Sequence, residues 1–262
     1  MGFLEAILLG IVQGLTEFLP VSSSGHLVIG KELLGVESTN LSFEIVVHAA
    51  TVLSTLVAFR KDIAGLLSGL FRFQMNMETI YIFKIFVSML PVMVVGLFFK
   101  DSVEALFGGG LVVVGFALLV TSLLLFLSGI IKPKEKGITF SNALLIGVAQ
   151  SLAVVPGLSR SGSTISAGLM LGVKREDMAR FSFLMVLVPI LGEAFLELVS
   201  GDLSSQSSGI GVLVLSAGFV AAFLSGLFAC KAMIALVKRT KLRGFALYCA
   251  VAGILAIVFS YV

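Results

Sequence analysis

The sequence predicts an all-α integral membrane protein with six transmembrane helices and two re-entrant helix pairs, arranged as an inverted repeat. Three observations predict this fold: the composition, an internal repeat and the distribution of basic residues. Hydrophobic residues make up 58% of the 262 residues, charged residues make up 13%, and the mean hydropathy is +1.13. A soluble domain of this length would carry about twice that share of charge, so the chain is expected to lie in a lipid bilayer.

Long apolar runs predict the six membrane spans. Each run is long enough to cross the hydrocarbon core as a helix. Two further apolar stretches, Gly2–Leu19 and Ile138–Val155, instead lead into polar segments that repeat each other. The six predicted spans are Phe43–Phe59, Ile80–Phe99, Leu111–Ile131, Phe181–Val199, Ile210–Ala229 and Gly244–Val262.

The repeated segments predict two broken helices. In each copy an apolar run is followed by Pro20 or Pro156 and then by a turn rich in Ser and Gly. Such a sequence breaks a helix inside a bilayer and exposes backbone groups to a ligand. At an offset of 137 residues, the second copy repeats Gln13, Ser22, Ser24 and Gly25 as Gln150, Ser159, Ser161 and Gly162.

The basic residues predict the orientation. If both repeated segments return to the side from which they enter, 14 basic residues fall on one side and only Lys31 and Lys100 on the other. If both segments span fully, the split is 10 against 6. The positive-inside rule therefore favours re-entrant segments, a cytoplasmic location for the 14 residues, and both termini outside. The 14 are Arg60, Lys61, Arg72, Lys132, Lys134, Lys136, Lys174, Arg175, Arg180, Lys231, Lys238, Arg239, Lys241 and Arg243.

This orientation makes the repeat inverted. Residues 1–131 and 138–262 each contain one re-entrant segment and three spans, within one membrane domain. Because three is odd, the two units enter from opposite sides and their re-entrant tips are expected to meet near the bilayer midplane. A lone charge there costs roughly 2.5–3.5 kcal/mol. We therefore expect Glu17 and Arg160 to face each other across one polar cavity.

Reactive side chains concentrate at the two tips. Glu17 is a carboxylate that can act as a base or hold a metal ion, and Gln13 lies one turn earlier on the same face. His26 can transfer a proton near neutral pH. Arg160 is a permanent cation whose planar fork matches phosphate oxygens. Hydroxyls or backbone N–H groups for an anion are expected from Ser22, Ser23, Ser24, Gly25, Ser159, Ser161, Gly162 and Thr164.

Together these groups suit phosphoryl transfer, which needs a base, an oxygen nucleophile and fixed positive charge. The chain has no P-loop sequence, which argues against a nucleotide substrate. The net charge of +3 belongs to the loops and does not suggest nucleic acid as a partner. Glycine-rich stretches such as Gly108–Gly110 permit close helix contacts and leave a homodimer open.

At these residues the chain resembles a known family, the undecaprenyl-pyrophosphate phosphatases of the bacitracin-resistance type. The family's first motif is Glu or Gln, three residues, then Glu, and here it reads Gln13-Gly-Leu-Thr-Glu17. The second motif stands as Pro156-Gly-Leu-Ser-Arg160-Ser. The resemblance covers the whole chain, including its length and its basic loops.

The resemblance implies a plasma-membrane phosphatase that converts a polyprenyl diphosphate to the monophosphate and so recycles a carrier lipid for cell-wall synthesis. Its essential carboxylate, serine, histidine and arginine correspond to Glu17, Ser23, His26 and Arg160. It also implies support by a divalent cation, Mg²⁺ or Ca²⁺, with Glu17 as the expected ligand. Some members carry Glu where Gln13 stands, so in this chain the helix supplies one carboxylate of this motif, Glu17, instead of two.

Other interpretations remain open at this stage. Ser22–Ser24 could serve only as helix caps, and Glu17 only as the partner of Arg160. Either Ser23 or an activated water could be the nucleophile. Inverted repeats with broken helices are also typical of secondary transporters, so a flippase for the lipid monophosphate is the rival function. His48 lies in a span with no motif around it and is interpreted as a packed structural histidine.

Overall fold

The computed structural model describes residues 1–36, 41–131, 134, 136–189, 210–239 and 242–261. Within these ranges every regular element is an α-helix, and the only β-type pairing is an isolated bridge between Lys136 and Val173. The helices are α1 Phe3–Phe18, α2 Ser23–Leu34, α3 Leu41–Ala58, α4 Arg60–Leu70, α5 Met77–Phe98, α6 Lys100–Phe107, α7 Gly110–Ile130, α8 Phe140–Leu152, α9 Arg160–Met170, α10 Arg175–Met185, α11 Val212–Arg239 and α12 Arg243–Phe259.

Several of these helices can cross a membrane. In the described ranges, α5, α7 and α11 are long and apolar enough to span, and α3 and α4 add a fourth span if this pair, bent by 72°, is taken as one. The shorter α12 is also apolar. The predicted all-α membrane fold is therefore confirmed, while the number of six spans stays a prediction. The predicted span Phe181–Val199 begins in α10 and continues into residues outside the described ranges.

Both repeated segments break a helix, as predicted. The first break separates α1 from α2, and the second separates α8 from α9. Ser22 and Ser159 are the N-caps of the two new helices: their hydroxyls accept the N–H of Gly25 at 3.3 Å and of Gly162 at 3.0 Å. These caps occupy the same position in the repeat, so the sequence similarity reflects the same local structure.

Glycines allow the helix before each break to pack closely on a partner. At Gly10 of α1, a Cβ would lie 3.2 Å from the carbonyl carbon of Gly218 in α11. At Gly147 of α8, a Cβ would lie 2.9 Å from the carbonyl carbon of Ser88 in α5. Close backbone approach of this kind replaces the hydrophobic effect as a source of helix association in lipid.

An apolar core holds the end of α1 in place. Phe18 is buried and packs edge-on against Phe183 of α10, with ring centroids 5.8 Å apart. Phe59, between α3 and α4, packs against the same ring at 6.0 Å. Aromatic pair contacts of this kind contribute about 0.5–1.5 kcal/mol each. Because Phe18 follows Glu17 directly, this packing fixes where the carboxylate points.

Candidate active site

The two helix breaks line one polar cavity of about 370 Å³. Residues from the first repeated segment form one wall, residues from the second form the opposite wall, and α3 contributes His48. The cavity therefore lies where the sequence predicts that the two tips meet. Its lining includes Glu17, Ser22, Ser23, Ser24, Ser159, Arg160 and Ser161.

Glu17 is the centre of the polar contacts in this cavity. Its side chain is only 7% exposed. One carboxylate oxygen, Oε1, pairs with the guanidinium of Arg160. The other, Oε2, accepts hydrogen bonds from the Ser23 hydroxyl at 2.5 Å and from the Gln13 amide at 3.0 Å. A buried carboxylate that both receives a serine proton and faces an arginine is suited to activating that serine.

Arg160 bridges the two halves of the chain. It is the first residue of α9, and its side chain is 24% exposed, so the guanidinium borders both protein and cavity. Its ion pair with Glu17 joins residues 143 positions apart in the sequence. The guanidinium carries five N–H donors, of which the described contacts use one on Glu17. The remaining donors are suited to binding phosphate oxygens in the cavity.

The other serines of the breaks hold the two tips together. The Ser24 hydroxyl accepts the Gly157 N–H at 3.4 Å, and the Ser161 hydroxyl donates to the Leu19 carbonyl at 3.1 Å. A Cβ at Gly25 would lie 3.0 Å from the Cα of Gly157, so the two breaks nearly touch. These contacts position Glu17 and Arg160 relative to each other.

Some predicted anion-binding groups are already occupied by protein. The N–H groups of Gly25 and Gly162 bind the hydroxyls of Ser22 and Ser159 as helix caps. The Thr164 hydroxyl contacts the Arg160 carbonyl at 2.9 Å and the Ser182 hydroxyl at 2.7 Å, and Thr164 does not line the cavity. These contacts give Gly25, Gly162 and Thr164 a structural role at the starts of α2 and α9, in addition to the anion-binding role predicted for them.

Ser22 has an unusual backbone conformation. Its φ is +70°, a backbone angle that residues other than Gly and Asn rarely adopt. The next residue, Ser23, begins α2 and points its hydroxyl at Glu17. Strain of this kind costs of order 1–3 kcal/mol and is concentrated at functional sites. The sharp turn at Ser22 is what aims Ser23 into the cavity.

His26 lies on α2 but faces away from this cavity. Its Nδ1 is 2.7 Å from the Ser22 carbonyl, and its Nε2 is 2.7 Å from the Tyr248 hydroxyl. The rings of His26 and Tyr248 stack with centroids 5.5 Å apart. Both residues border a second, mostly apolar cavity of about 470 Å³ between α2, α7 and α12. The structure therefore does not bring His26 together with Glu17 and Ser23.

His48 instead joins the Glu17 cluster. Its Nε2 lies 3.9 Å from Glu17 Oε2, and it borders the polar cavity. The prediction that His48 is packed within its span was wrong, because its side chain is 34% exposed at the cavity. The available signal was its chemistry, because an ionisable residue within an apolar span is by default a functional hypothesis. Tyr248, the partner of His26, offered no such signal within its apolar run.

The polar cavity offers one carboxylate, Glu17, to a metal ion. In the described part of the chain, no three His, Cys, Asp or Glu side chains converge. Glu17 is the carboxylate available here, and its oxygens already bind Arg160, Ser23 and Gln13. Gln13 supplies an amide where a second carboxylate would be needed. One carboxylate is fewer than a Ca²⁺ cage usually supplies, whereas Mg²⁺ is usually held by one or two carboxylates together with waters and substrate phosphates.

The fold and the site together define a class: a polytopic membrane protein in which two helix breaks build one cavity equipped for phosphoryl chemistry. The sequence profile of the bacitracin resistance protein BacA family matches residues 6–255. The chain belongs to this family, and the resemblance found in its motifs is confirmed.

Relatives from several organisms match over essentially the full chain. Undecaprenyl-diphosphatase of Parabacteroides distasonis is 55% identical over 260 residues, covering 98% of each chain. Undecaprenyl-diphosphatase of Christiangramia forsetii is 52% identical, covering 100% of this chain and 99% of the relative. The protein of the same name from Methanosphaera stadtmanae is 38% identical, with 100% and 99% coverage.

Proposed function

We propose that this protein is an integral-membrane phosphatase. Its substrate is undecaprenyl diphosphate, and its products are the lipid monophosphate and inorganic phosphate, which recycles the carrier lipid for cell-envelope glycan synthesis. The observation that carries the proposal is the contact of Ser23 and Arg160 with the two oxygens of one buried carboxylate, Glu17. Full-length relatives at 52–55% identity carry the name undecaprenyl-diphosphatase.

Ser23 is the nucleophile in this proposal. Its hydroxyl already donates to Glu17 Oε2 at 2.5 Å, so the carboxylate takes the proton as the Ser23 oxygen attacks the terminal phosphorus. The phosphoric anhydride bond breaks, and the lipid monophosphate leaves with the bridging oxygen. Water then hydrolyses the phosphorylated serine. The hydrogen bond that aims Ser23 at Glu17 favours this route over direct attack by water.

Arg160 stabilises the phosphoryl group during transfer. In the absence of substrate its charge is balanced by Glu17. When Glu17 takes the proton of Ser23, the carboxylate becomes neutral, and the guanidinium is left to balance negative charge on the phosphate oxygens. Glu17 is buried beside the guanidinium, so such electrostatic stabilisation is stronger there than it would be in water.

The apolar cavity beside His26 offers a place for the lipid chain. Its apolar lining includes Leu33, Leu111, Leu255 and Phe259, and its polar lining consists of His26, Glu32 and Tyr248. His26 follows Ser23 by three residues on α2, so this cavity and the polar one lie beside each other along the helix. A lipid diphosphate can then place its head group near Ser23 while its chain stays in an apolar environment.

The topology in this proposal is the inverted repeat, with six spans and halves 1–131 and 138–262. Helix packing supports it: α1 packs on α11 as α8 packs on α5, and α1–α2 contacts are matched by α8–α9 contacts. Contacts between predicted cytoplasmic segments also support it. Arg180 pairs with Asp62 at 2.9 Å, Lys136 bridges Val173, and a Cβ at Gly129 would lie 3.2 Å from Arg243.

The proposed location is the plasma membrane, with both termini outside. The first break enters from the outer side in this topology, so the enzyme meets the lipid diphosphate at the outer leaflet. A divalent cation, Mg²⁺ or Ca²⁺, stays a prediction, and the fit of the donors favours an ion that arrives with the diphosphate. A homodimer also stays a prediction, which light scattering of the purified protein will test.

Phosphate release by the purified protein tests the function. We expect release from undecaprenyl diphosphate, with the dependence on a cation measured by adding EDTA and then Mg²⁺ or Ca²⁺. Ser23→Ala should still bind the lipid but release no phosphate. A lipid flippase, the rival function, needs no serine held by a carboxylate, so Ser23→Ala would then transport normally. Wild-type protein without phosphatase activity would contradict the proposal.

A further inference from the structure

His48 approaches the reactive cluster from a different element than the repeated motifs. It lies in the third turn of α3, outside both helix breaks. Its Nε2 is 3.9 Å from Glu17 Oε2, the same oxygen that accepts the Ser23 hydroxyl at 2.5 Å. Its side chain is 34% exposed, and it borders the polar cavity. The imidazole therefore reaches the space in which the phosphorylated serine would stand.

The hydrogen bond at Nδ1 fixes the tautomer of His48. Nδ1 lies 2.8 Å from the carbonyl oxygen of Glu44, one turn earlier on α3. A carbonyl oxygen only accepts hydrogen bonds, so Nδ1 must carry the proton. In the neutral ring Nε2 then has a free lone pair that points toward the cavity. The ionised Glu17 carboxylate has no proton to donate to this lone pair, and its Oε2 lies 3.9 Å away, beyond hydrogen-bond distance.

The charged groups around His48 fit a role as a proton acceptor. Glu17 of α1 faces it directly, and Arg160 of α9 neutralises that carboxylate. On its own helix, Glu44 supplies the carbonyl that holds the ring, and its carboxylate pairs with Lys31 of α2. An ionised Glu17, as it is once its proton has returned to Ser23, would stabilise an imidazolium at this position. His26 lacks such a setting, because its ring nitrogens contact the Ser22 carbonyl and the Tyr248 hydroxyl.

We propose that His48 is the general base for the second half of the reaction, the hydrolysis of phosphorylated Ser23. This inference rests on the proposed function. As a water oxygen bonds to the phosphorus, its proton passes to His48 Nε2. The bond between phosphorus and the Ser23 oxygen breaks, and that oxygen takes back the proton held by Glu17. Inorganic phosphate leaves, and His48 returns its proton to solvent through the cavity.

Each half-reaction thus has its own general base. Glu17 serves the attack by Ser23, and His48 serves the attack by water. While Glu17 holds the proton of Ser23, it cannot accept a second one, so another base is needed for the water. General-base catalysis typically contributes 10²- to 10⁴-fold, and loss of His48 should slow the second half-reaction by about that factor.

A rapid-quench experiment on full-length protein in detergent tests this role. The substrate is polyprenyl diphosphate labelled with ³²P in its terminal phosphate, and three products are followed: lipid monophosphate, free phosphate and protein-bound label. For His48→Gln we expect one equivalent of monophosphate per enzyme in a fast burst, and phosphate release slowed about 10²- to 10⁴-fold. The missing phosphate should be bound to protein, and the label should vanish in the Ser23→Ala/His48→Gln variant.

Other outcomes of this experiment overturn the inference in distinguishable ways. If His48→Gln slows monophosphate and phosphate by the same factor and no label is trapped, His48 has a structural role. If Ser23→Ala turns over normally, Ser23 is not the nucleophile and both the mechanism and this step are wrong. If the wild-type protein forms no monophosphate, the proposed function itself fails.

Chemical rescue gives a second readout that a structural role would not produce. Removal of the ring in His48→Ala enlarges a cavity of about 370 Å³ that already borders the site. Added imidazole should restore phosphate release and discharge the protein-bound label in proportion to its concentration. It should have no such effect on His48→Gln, in which the glutamine side chain fills the space. Absence of rescue in a folded His48→Ala protein that traps no label would also count against the base.

Discussion

Variants of Arg160 can separate what its ion pair with Glu17 contributes to folding stability from what it contributes to phosphate release. Replacing Arg160 by Met removes the cation but keeps an unbranched side chain at the same position. Glu17 then stays 7% exposed with hydrogen bonds from Ser23 and Gln13 but no opposite charge. Removing one partner of a buried pair costs about 3–5 kcal/mol. Because Arg160 is 24% exposed and two hydrogen bonds to Glu17 remain, we expect Arg160→Met to lower the free energy of unfolding by about 3 kcal/mol.

Thermal unfolding of the chain can be followed through its cysteines. The chain has no Trp, but its two cysteines, Cys230 and Cys249, are free and buried. A thiol-reactive fluorophore therefore reports unfolding in detergent. Each kcal/mol shifts Tm by about 2–4 °C for soluble domains of 150–250 residues, so Arg160→Met should melt roughly 6–12 °C lower. It should also release no phosphate.

A second variant and a control complete the test. Glu17→Gln/Arg160→Met removes both charges of this pair, so it should regain most of the lost stability while staying inactive. Arg180→Met removes an arginine from the pair with Asp62, in which Arg180 is 55% exposed. Exposed pairs contribute about 0–1 kcal/mol, so this control should lose little stability and keep its activity. An Arg160→Met protein as stable as wild type, or a double variant less stable than Arg160→Met, would refute the reasoning.

Three further predictions address Arg160 as a phosphate clamp, the contact of His26 with Tyr248, and the membrane topology. Arg160→Lys keeps the charge but loses the planar fork, so it should lose most phosphate release; turnover at the wild-type rate would disprove a bidentate clamp. His26→Gln and Tyr248→Phe should each lower activity up to about tenfold, without adding in the double variant, because they remove one hydrogen bond; additive losses would separate the two residues. Cysteines introduced at Lys134 and Arg239 should be labelled from the same, cytoplasmic face, and labelling from opposite faces would rule out the inverted topology.

The sequence by itself determined the environment, the helix breaks and most of the reactive residues. Composition alone requires a bilayer, since few charged side chains are available for a water-exposed surface. The breaks follow from local chemistry: proline interrupts the helix, and Ser22 and Ser159 start the next one by capping. Glu17, Ser23 and Arg160 could be selected because charged or nucleophilic groups at a break inside a membrane require a partner.

Tertiary structure decided which histidine meets the carboxylate. His26 stands only three residues after Ser23, yet it contacts Tyr248 of α12 and borders a different cavity. His48 is 31 positions after Glu17 (48 − 17), yet it lies 3.9 Å from that carboxylate. The direction in which a helical side chain points depends on how the helix is rotated against its neighbours. That rotation is set by the packing of α3 on α1 and α11, which sequence spacing does not encode.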